Sequence, residues 1–207
     1  MKFRVTVWVV VFVSVLTWSA IEPADRLTWW MEVIPALIGF AILWVTRRRF
    51  PLTELVYVLI LVHAIILMVG GHYTYAEVPI GDWLRDLQGG DRNNYDKLGH
   101  LAQGFIPAMI AREIMIRNKV VAVAAWLPFL IISIVLAFSA FYELIEWWAA
   151  LLSAEAADSF LGTQGYVWDT QSDMMWALSG AILSLLILSR FHDRQILSLN
   201  QKEQTAL

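Results

Sequence analysis

The sequence predicts an all-α, polytopic membrane bundle of about six transmembrane helices with both termini in the cytoplasm. Three observations predict it. Hydrophobic residues make up 59% of the 207, and mean hydropathy is +0.61. A soluble domain sits near about 45–50% apolar, so the surplus requires a second solvent. Six apolar segments can be drawn, near 5–21, 29–46, 52–71, 98–116, 122–147 and 170–190. Each approaches the ~20 residues that a helix needs to cross ~30 Å of hydrocarbon. The basic residues, finally, fall in alternate connections.

Taken in order, the first segment has a rival reading as a signal peptide, because Lys2 and Arg4 precede the run Val5–Leu16. A small-residue cleavage pattern is missing and Trp18 stands where one is wanted, so an uncleaved helix is expected. Arg47, Arg48 and Arg49 separate segments two and three. Arg112, Arg117 and Lys119 separate four and five, and Arg190, Arg194 and Lys202 follow six. Eleven of the 15 basic residues thus share one side, and only Arg26, Arg85, Arg92 and Lys97 fall on the other. This bias places both termini inside. The 11 tryptophans suit membrane–water interfaces. The outer connections are the long ones. Residues 72–97 hold Gly-Gly and Asn-Asn turn signals around a short amphipathic piece, Trp83–Leu87, and residues 148–169 join segments five and six. No repeat or second domain interrupts the chain, which reads as one membrane domain over 1–207.

Composition also removes chemistries. Cysteine is absent, which excludes disulfides, thiolate nucleophiles and Cys-based metal sites. The basic residues form a topology pattern with no concentrated patch, so nucleic acid is not an expected partner. No organic cofactor is indicated.

Ionisable residues in or beside apolar segments carry the functional signal, because charge near hydrocarbon is expensive. Glu143 and Glu146 lie three apart at the outer end of segment five, about 60° apart on one helix face that Ser139 completes. Asp96 and His100 are i,i+4 at the outer start of segment four. Asp169 and Asp173 repeat that spacing at the start of segment six, and His72 ends segment three. Four helices therefore deliver ionisable groups to one depth. Carboxylates alone repel, so the cluster calls for protons or a cation. A divalent metal answers, with Zn, Mn or Fe more natural than Ca once imidazole takes part. The expected metal ligands are His72, His100, Glu143, Asp169 and Asp173, supported by Asp96, Gln164 and Ser139.

Plainer readings stand beside these. Asp96 or Asp169 in a first helical turn can act as an N-cap. Glu146 reads either as a general base or as part of an interfacial belt with Trp147 and Trp148. His63, nine residues before His72, falls on the opposite helix face and reads as a packing histidine, and His192 reads as part of the cytoplasmic tail.

Four blocks carry a family likeness. They are Gly70-Gly71-His72-Tyr73-Thr74-Tyr75, Asp96-Lys97-Leu98-Gly99-His100, Tyr142-Glu143-Leu144-Ile145-Glu146-Trp147 and the stretch from Leu161 to Met174 containing Gly165-Tyr166-Val167-Trp168-Asp169-Thr170. They resemble the YjdF-like bacterial inner-membrane family over about residues 50–190, and more loosely the VanZ-like membrane proteins. The resemblance implies a multi-pass protein of the bacterial inner membrane and brings no reaction with it.

The function expected is a metal-dependent membrane hydrolase or lipid- or envelope-modifying enzyme, with Glu146 as its base and a lipid or envelope component as substrate. A small transporter or cation/proton exchanger using the same carboxylates is the alternative, and a structural subunit locked by a polar network is a third. Transporters commonly show inverted repeats and midplane charge, and neither is evident.

Overall fold

Residues 95–117 carry Asp96, Lys97, His100, Gln103, Arg112 and Glu113 among their apolar side chains. A helix so polar is poorly suited to face hydrocarbon and does best surrounded by other helices. A computed structural model of the chain, describing residues 2–152 and 166–205, places it in that position. The described residues form seven α-helices and no strand. These are α1 (Lys2–Ser19), α2 (Arg26–Thr46), α3 (Glu54–Tyr73), α4 (Pro79–Gln88), α5 (Tyr95–Arg117), α6 (Leu127–Leu152) and α7 (Asp169–Thr205). Single 3₁₀ turns occupy Tyr75–Glu77 and Ala124–Trp126.

The expected segments appear as α1, α2, α3, α5, α6 and α7. Four stretches are long and apolar enough to cross a membrane: Arg26–Thr46, Glu54–Tyr73, Ala124–Leu151 and Asp169–Gln201. Helix α1 offers the shorter apolar run Val5–Ser19. Helix α5 has the length, at 23 residues, and owes its lower hydropathy to the polar residues that its neighbours cover.

Helix α5 packs on α3, α6 and α7, most extensively on α7. Glycine explains the closeness. A Cβ on Gly104 would overlap the Ala177 carbonyl oxygen, and one on Gly180 would overlap that of Leu101. Ala108, Ile131, Val135 and Ala181 then bury one core between α5, α6 and α7. A second core joins α1, α2 and α3 through Phe12, Trp29, Val33, Ala36, Ala64 and Met68.

Helix starts follow their caps. Asp25 accepts the Thr28 amide at 2.7 Å to open α2, and Thr53 caps α3. Asn94, not Asp96, holds the N-cap position of α5, which places Asp96 inside the helix with its carboxylate free for other partners. The amphipathic piece expected near Trp83 is α4. It opens on Pro79 and ends on Gly89 in the left-handed region (φ 65°). Ile80, Trp83, Leu84 and Leu87 are all exposed along one face, the spacing of an interfacial helix.

The last helix corrects the sequence reading. Arg190, Asp193 and Arg194 suggested an exit near residue 190, yet α7 runs 37 residues, about 55 Å. It continues because the residues beyond 190 are still packed. His192 is fully buried, hence no solvated tail residue, and Ile196 is buried too. Glu113 accepts from the Thr53 amide at 2.9 Å, the Thr53 hydroxyl at 2.7 Å and His192 Nε2 at 2.9 Å, with Arg117 at 3.2 Å. Arg112 reaches His192 Nδ1 at 3.3 Å and Asp193 at 2.6 Å. A guanidinium only donates, so Nδ1 accepts and Nε2 carries the hydrogen given to Glu113. His192 is therefore the neutral Nε2–H tautomer, and this network ties α3, α5 and α7 together.

Candidate metal centre

Helix periodicity and the close α5–α7 contact together assemble the site. On α5 the i,i+4 spacing stacks Asp96 and His100, and on α7 it stacks Asp169 and Asp173. Helix α6 adds Ser139, Glu143 and Glu146. Asp96, His100, Glu143 and Asp173 are all buried, Asp173 to 2% exposure. His100 Nε2 lies 3.3 Å from Asp96 and 3.9 Å from Asp173, and its Nδ1 lies 3.9 Å from Glu143. Asp96, His100 and Asp173 can each offer one ligand atom with all three inside 4.8 Å of one another.

The histidine is oriented from behind. Gln103, one turn along α5, places Oε1 3.1 Å from His100 Nδ1. With the ring hydrogen on Nδ1, the Nε2 lone pair is directed at Asp96 and Asp173. Metal-bound histidines are held in this way, the second nitrogen donating to an oxygen that fixes ring and tautomer. Asp173 Oδ1, Glu143 Oε1 and the Ser139 hydroxyl are buried without a hydrogen-bond partner. Leaving such groups unsatisfied is costly, and carboxylate oxygens around an imidazole lone pair fit a divalent cation.

Arg92, just before α5, closes one side. Its guanidinium lies 2.5 Å from Asp169 and 3.3 Å from Asp96, joining the starts of α5 and α7. Tyr166 lies beneath it, 5.4 Å from ring centroid to guanidinium. On the other side a cavity of about 560 Å³ opens, its polar end lined by Glu32, Tyr75, Asp96, His100, Tyr142 and Glu146. Glu32 is buried on α2 and accepts from the Tyr142 hydroxyl at 3.5 Å. Tyr75 hydrogen-bonds the same carboxylate. Glu146 faces this cavity, whereas Trp147 and Trp148 are exposed on the outside of α6.

The expected residues thus separate. Asp96, His100 and Asp173 come together with Glu143 beside them, and Ser139 is buried on the same helix as Glu143. Asp169 is engaged by Arg92. His72 goes elsewhere. Its Nδ1 lies 3.1 Å from the Ser19 carbonyl, and its ring packs on Trp18 and Tyr73 at 4.5 and 4.6 Å. The end of α3 is turned toward α1, which removes His72 from the carboxylates. Gln164 lies outside the described residues. Glu32 and Arg92 were missed as site residues. Glu32 carried the signal that singled out Glu143, a carboxylate within an apolar segment. Arg92, in a loop, carried none.

The chain matches the family described as "Predicted membrane protein (DUF2238)" over residues 4–194. It belongs to the DUF2238 family. A relative, the "Inner membrane protein YjdF" of Escherichia coli (strain K12), is 54% identical over 182 residues, 88% of this chain and 87% of the relative. No solved structure matches the chain. DUF2238 membership makes this an integral membrane protein, in agreement with its apolar helices.

Proposed function

We propose that this protein crosses the bacterial inner membrane six times, through α1, α2, α3, α5, α6 and α7, with both termini in the cytoplasm. Its site near the opposite face would bind one divalent cation, Zn, Mn or Fe, and hydrolyse or otherwise modify a lipid or envelope component. The topology is supported by the basic residues, with Arg112 and Arg117 joining the Thr53–Glu113–His192 network at the end away from His100. The relative's name supports the location.

The observation that carries the metal reading is His100, whose Nδ1 is held by Gln103 while Nε2 faces Asp96 and Asp173. Asp96, His100 and Asp173 are the ligands in this reading, and Glu143 is close enough to join them. A bound cation supplies Lewis-acid polarisation of a substrate oxygen. Glu146, across the cavity, takes the proton from an attacking water. Arg92 holds Asp96 and Asp169 in position on the side of the cluster away from the cavity.

Metal analysis of the purified full chain, together with His100→Ala and Asp173→Asn, tests the proposal. The expected result is close to one equivalent of metal in the parent and little in either variant. A metal-free parent whose thermal stability ignores added Zn, Mn and Fe would overturn it.

A further inference from the structure

The cavity at His100 does not end among polar residues. Beyond Gln103 its walls are Pro107, Ile110, Ala111, Ile114 and Met115 of α5, facing Ile134 and Phe138 of α6. A second cavity of about 500 Å³ shares Pro35, His63, Leu67, Ile110 and Ile114 with the first, so the two adjoin end to end and are taken together as one cleft along α5. It reaches Thr46, Phe50 and Asn118 at the far end. Between Gln103 and those residues, His63 is the one ionisable side chain among the described lining residues.

The helix packing leaves this cleft open to the side. Helix α2 packs along α3 and forms no comparable face with α5 or α6, so α3 and α5 make a floor between two separated walls. The rims are exposed and apolar, with Phe138 and Phe141 on α6 and Ile42 on α2. In a membrane protein such rims meet hydrocarbon, so a lipid chain can enter sideways without leaving an apolar medium.

Length selects the occupant. From Asp96 to Asn118, the residue that caps α5, the cleft follows 22 residue steps, about 33 Å at helical rise. That equals the whole ~30 Å hydrocarbon core, roughly twice what one leaflet holds. A phospholipid's chains each span only about one leaflet, and this cleft is as long as two.

We propose that the cleft holds the single chain of a long-tailed lipid of polyisoprenoid length, with its head at the His100 end. The head would carry an anionic oxygen, such as a phosphate. That part alone rests on the metal reading; the tail assignment rests on the cleft.

The test is native mass spectrometry of the full chain with three phosphate monoester lipids: a polyprenyl phosphate long enough to cross the bilayer, farnesyl phosphate and dipalmitoyl phosphatidic acid. The long polyprenyl phosphate should bind at least about tenfold more tightly than either of the others. Ile114→Trp, at a half-exposed position shared by both cavities, should lower it to the farnesyl level while leaving farnesyl phosphate unchanged. The milder Ala111→Leu should shift it in the same direction, and melting temperature should report that both variants remain folded. Equal binding of the three lipids overturns the proposal, as does a uniform loss of all three in a folded Ile114→Trp. A chelator arm using the neutral long-chain polyprenol beside neutral farnesol separates the two readings. A length preference that persists there supports the cleft even if no metal is found; metal bound without any length preference removes the cleft and leaves the metal site.

Discussion

Gly104 of α5 lies so close to Ala177 of α7 that not even a methyl group fits between them. This contact brings His100 to Asp173, because both sit on the same pair of helix faces near the crossing. Gly104→Leu should therefore separate the helices and lower stability by about 1–3 kcal/mol, the usual range for overpacking. It should weaken metal binding without touching a ligand. Gly39→Ala is the control, since nothing stands within 4 Å of its added methyl. That change should be neutral, or stabilising by about 0.5–1 kcal/mol. Thermal unfolding in detergent with metal titration checks both, and an undisturbed Gly104→Leu would show that the approach is not needed.

Gln103 is predicted to act through His100. Gln103→Leu removes the oxygen 3.1 Å from Nδ1 and leaves Asp96, His100 and Asp173 in place. Loss of such an orienting partner typically lowers metal affinity about 10–100-fold. Gln103→Glu, which keeps an acceptor at that position, should retain most of it. Competition with a chelator gives the affinities, and equal affinity in all three proteins would mean that the ring is fixed otherwise.

Much of this arrangement can be read from local spacing, and what cannot depends on contacts between distant residues. The i,i+4 pairs Asp96–His100 and Asp169–Asp173 follow from helical period alone, so the candidate ligands were legible. Which of them meet was not. His72 has the right residue type and depth, but the direction in which α3 ends turns it to Ser19 and Trp18. Asp169 is taken by Arg92, a loop residue that carried no sequence signal for the site. Helix α5 was legible as the apolar segment near 98–116, and its polar residues Asp96, His100, Arg112 and Glu113 are tolerated because its neighbours bury them. Helix α7 outran its expected end because a basic, polar segment can stay helical when a partner such as Glu113 waits 79 residues earlier.

Acid should loosen the start of α2. The Asp25 carboxyl is held below its usual range, chiefly by the Thr28 backbone amide that it caps. A depressed carboxylate stabilises the fold above its unfolded pKa of about 3.9, and this is lost as pH falls through the lower folded value. Asp25→Ala should cost about 1 kcal/mol near neutral pH and flatten the acid limb of stability. Asp25→Asn should keep the cap at neutral pH and flatten the same limb. Melting temperatures against pH decide; an acid limb equally steep in the parent and in Asp25→Asn would assign the acid sensitivity to another group.

The network at the far end should behave as structure and not as part of the metal site. Glu113 is fully buried and receives hydrogen bonds from Thr53 and His192, with Arg117 beside it. Glu113→Ala removes the carboxylate beside Arg117 and leaves the Thr53 amide without its acceptor, and breaking a buried ionic arrangement of this kind costs about 3–5 kcal/mol. His192→Ala removes one donor to Glu113 and the acceptor facing Arg112. It should cost less, about 1–3 kcal/mol for the polar groups left unmatched. Combining the two changes should fall short of their sum, because both delete the same hydrogen bond. Metal affinity should be unchanged in each folded variant, since no residue of this network faces His100. Unfolding measured alongside metal titration separates the cases. A Glu113→Ala protein that remained folded but lost metal would join the two ends of α5 into one functional unit.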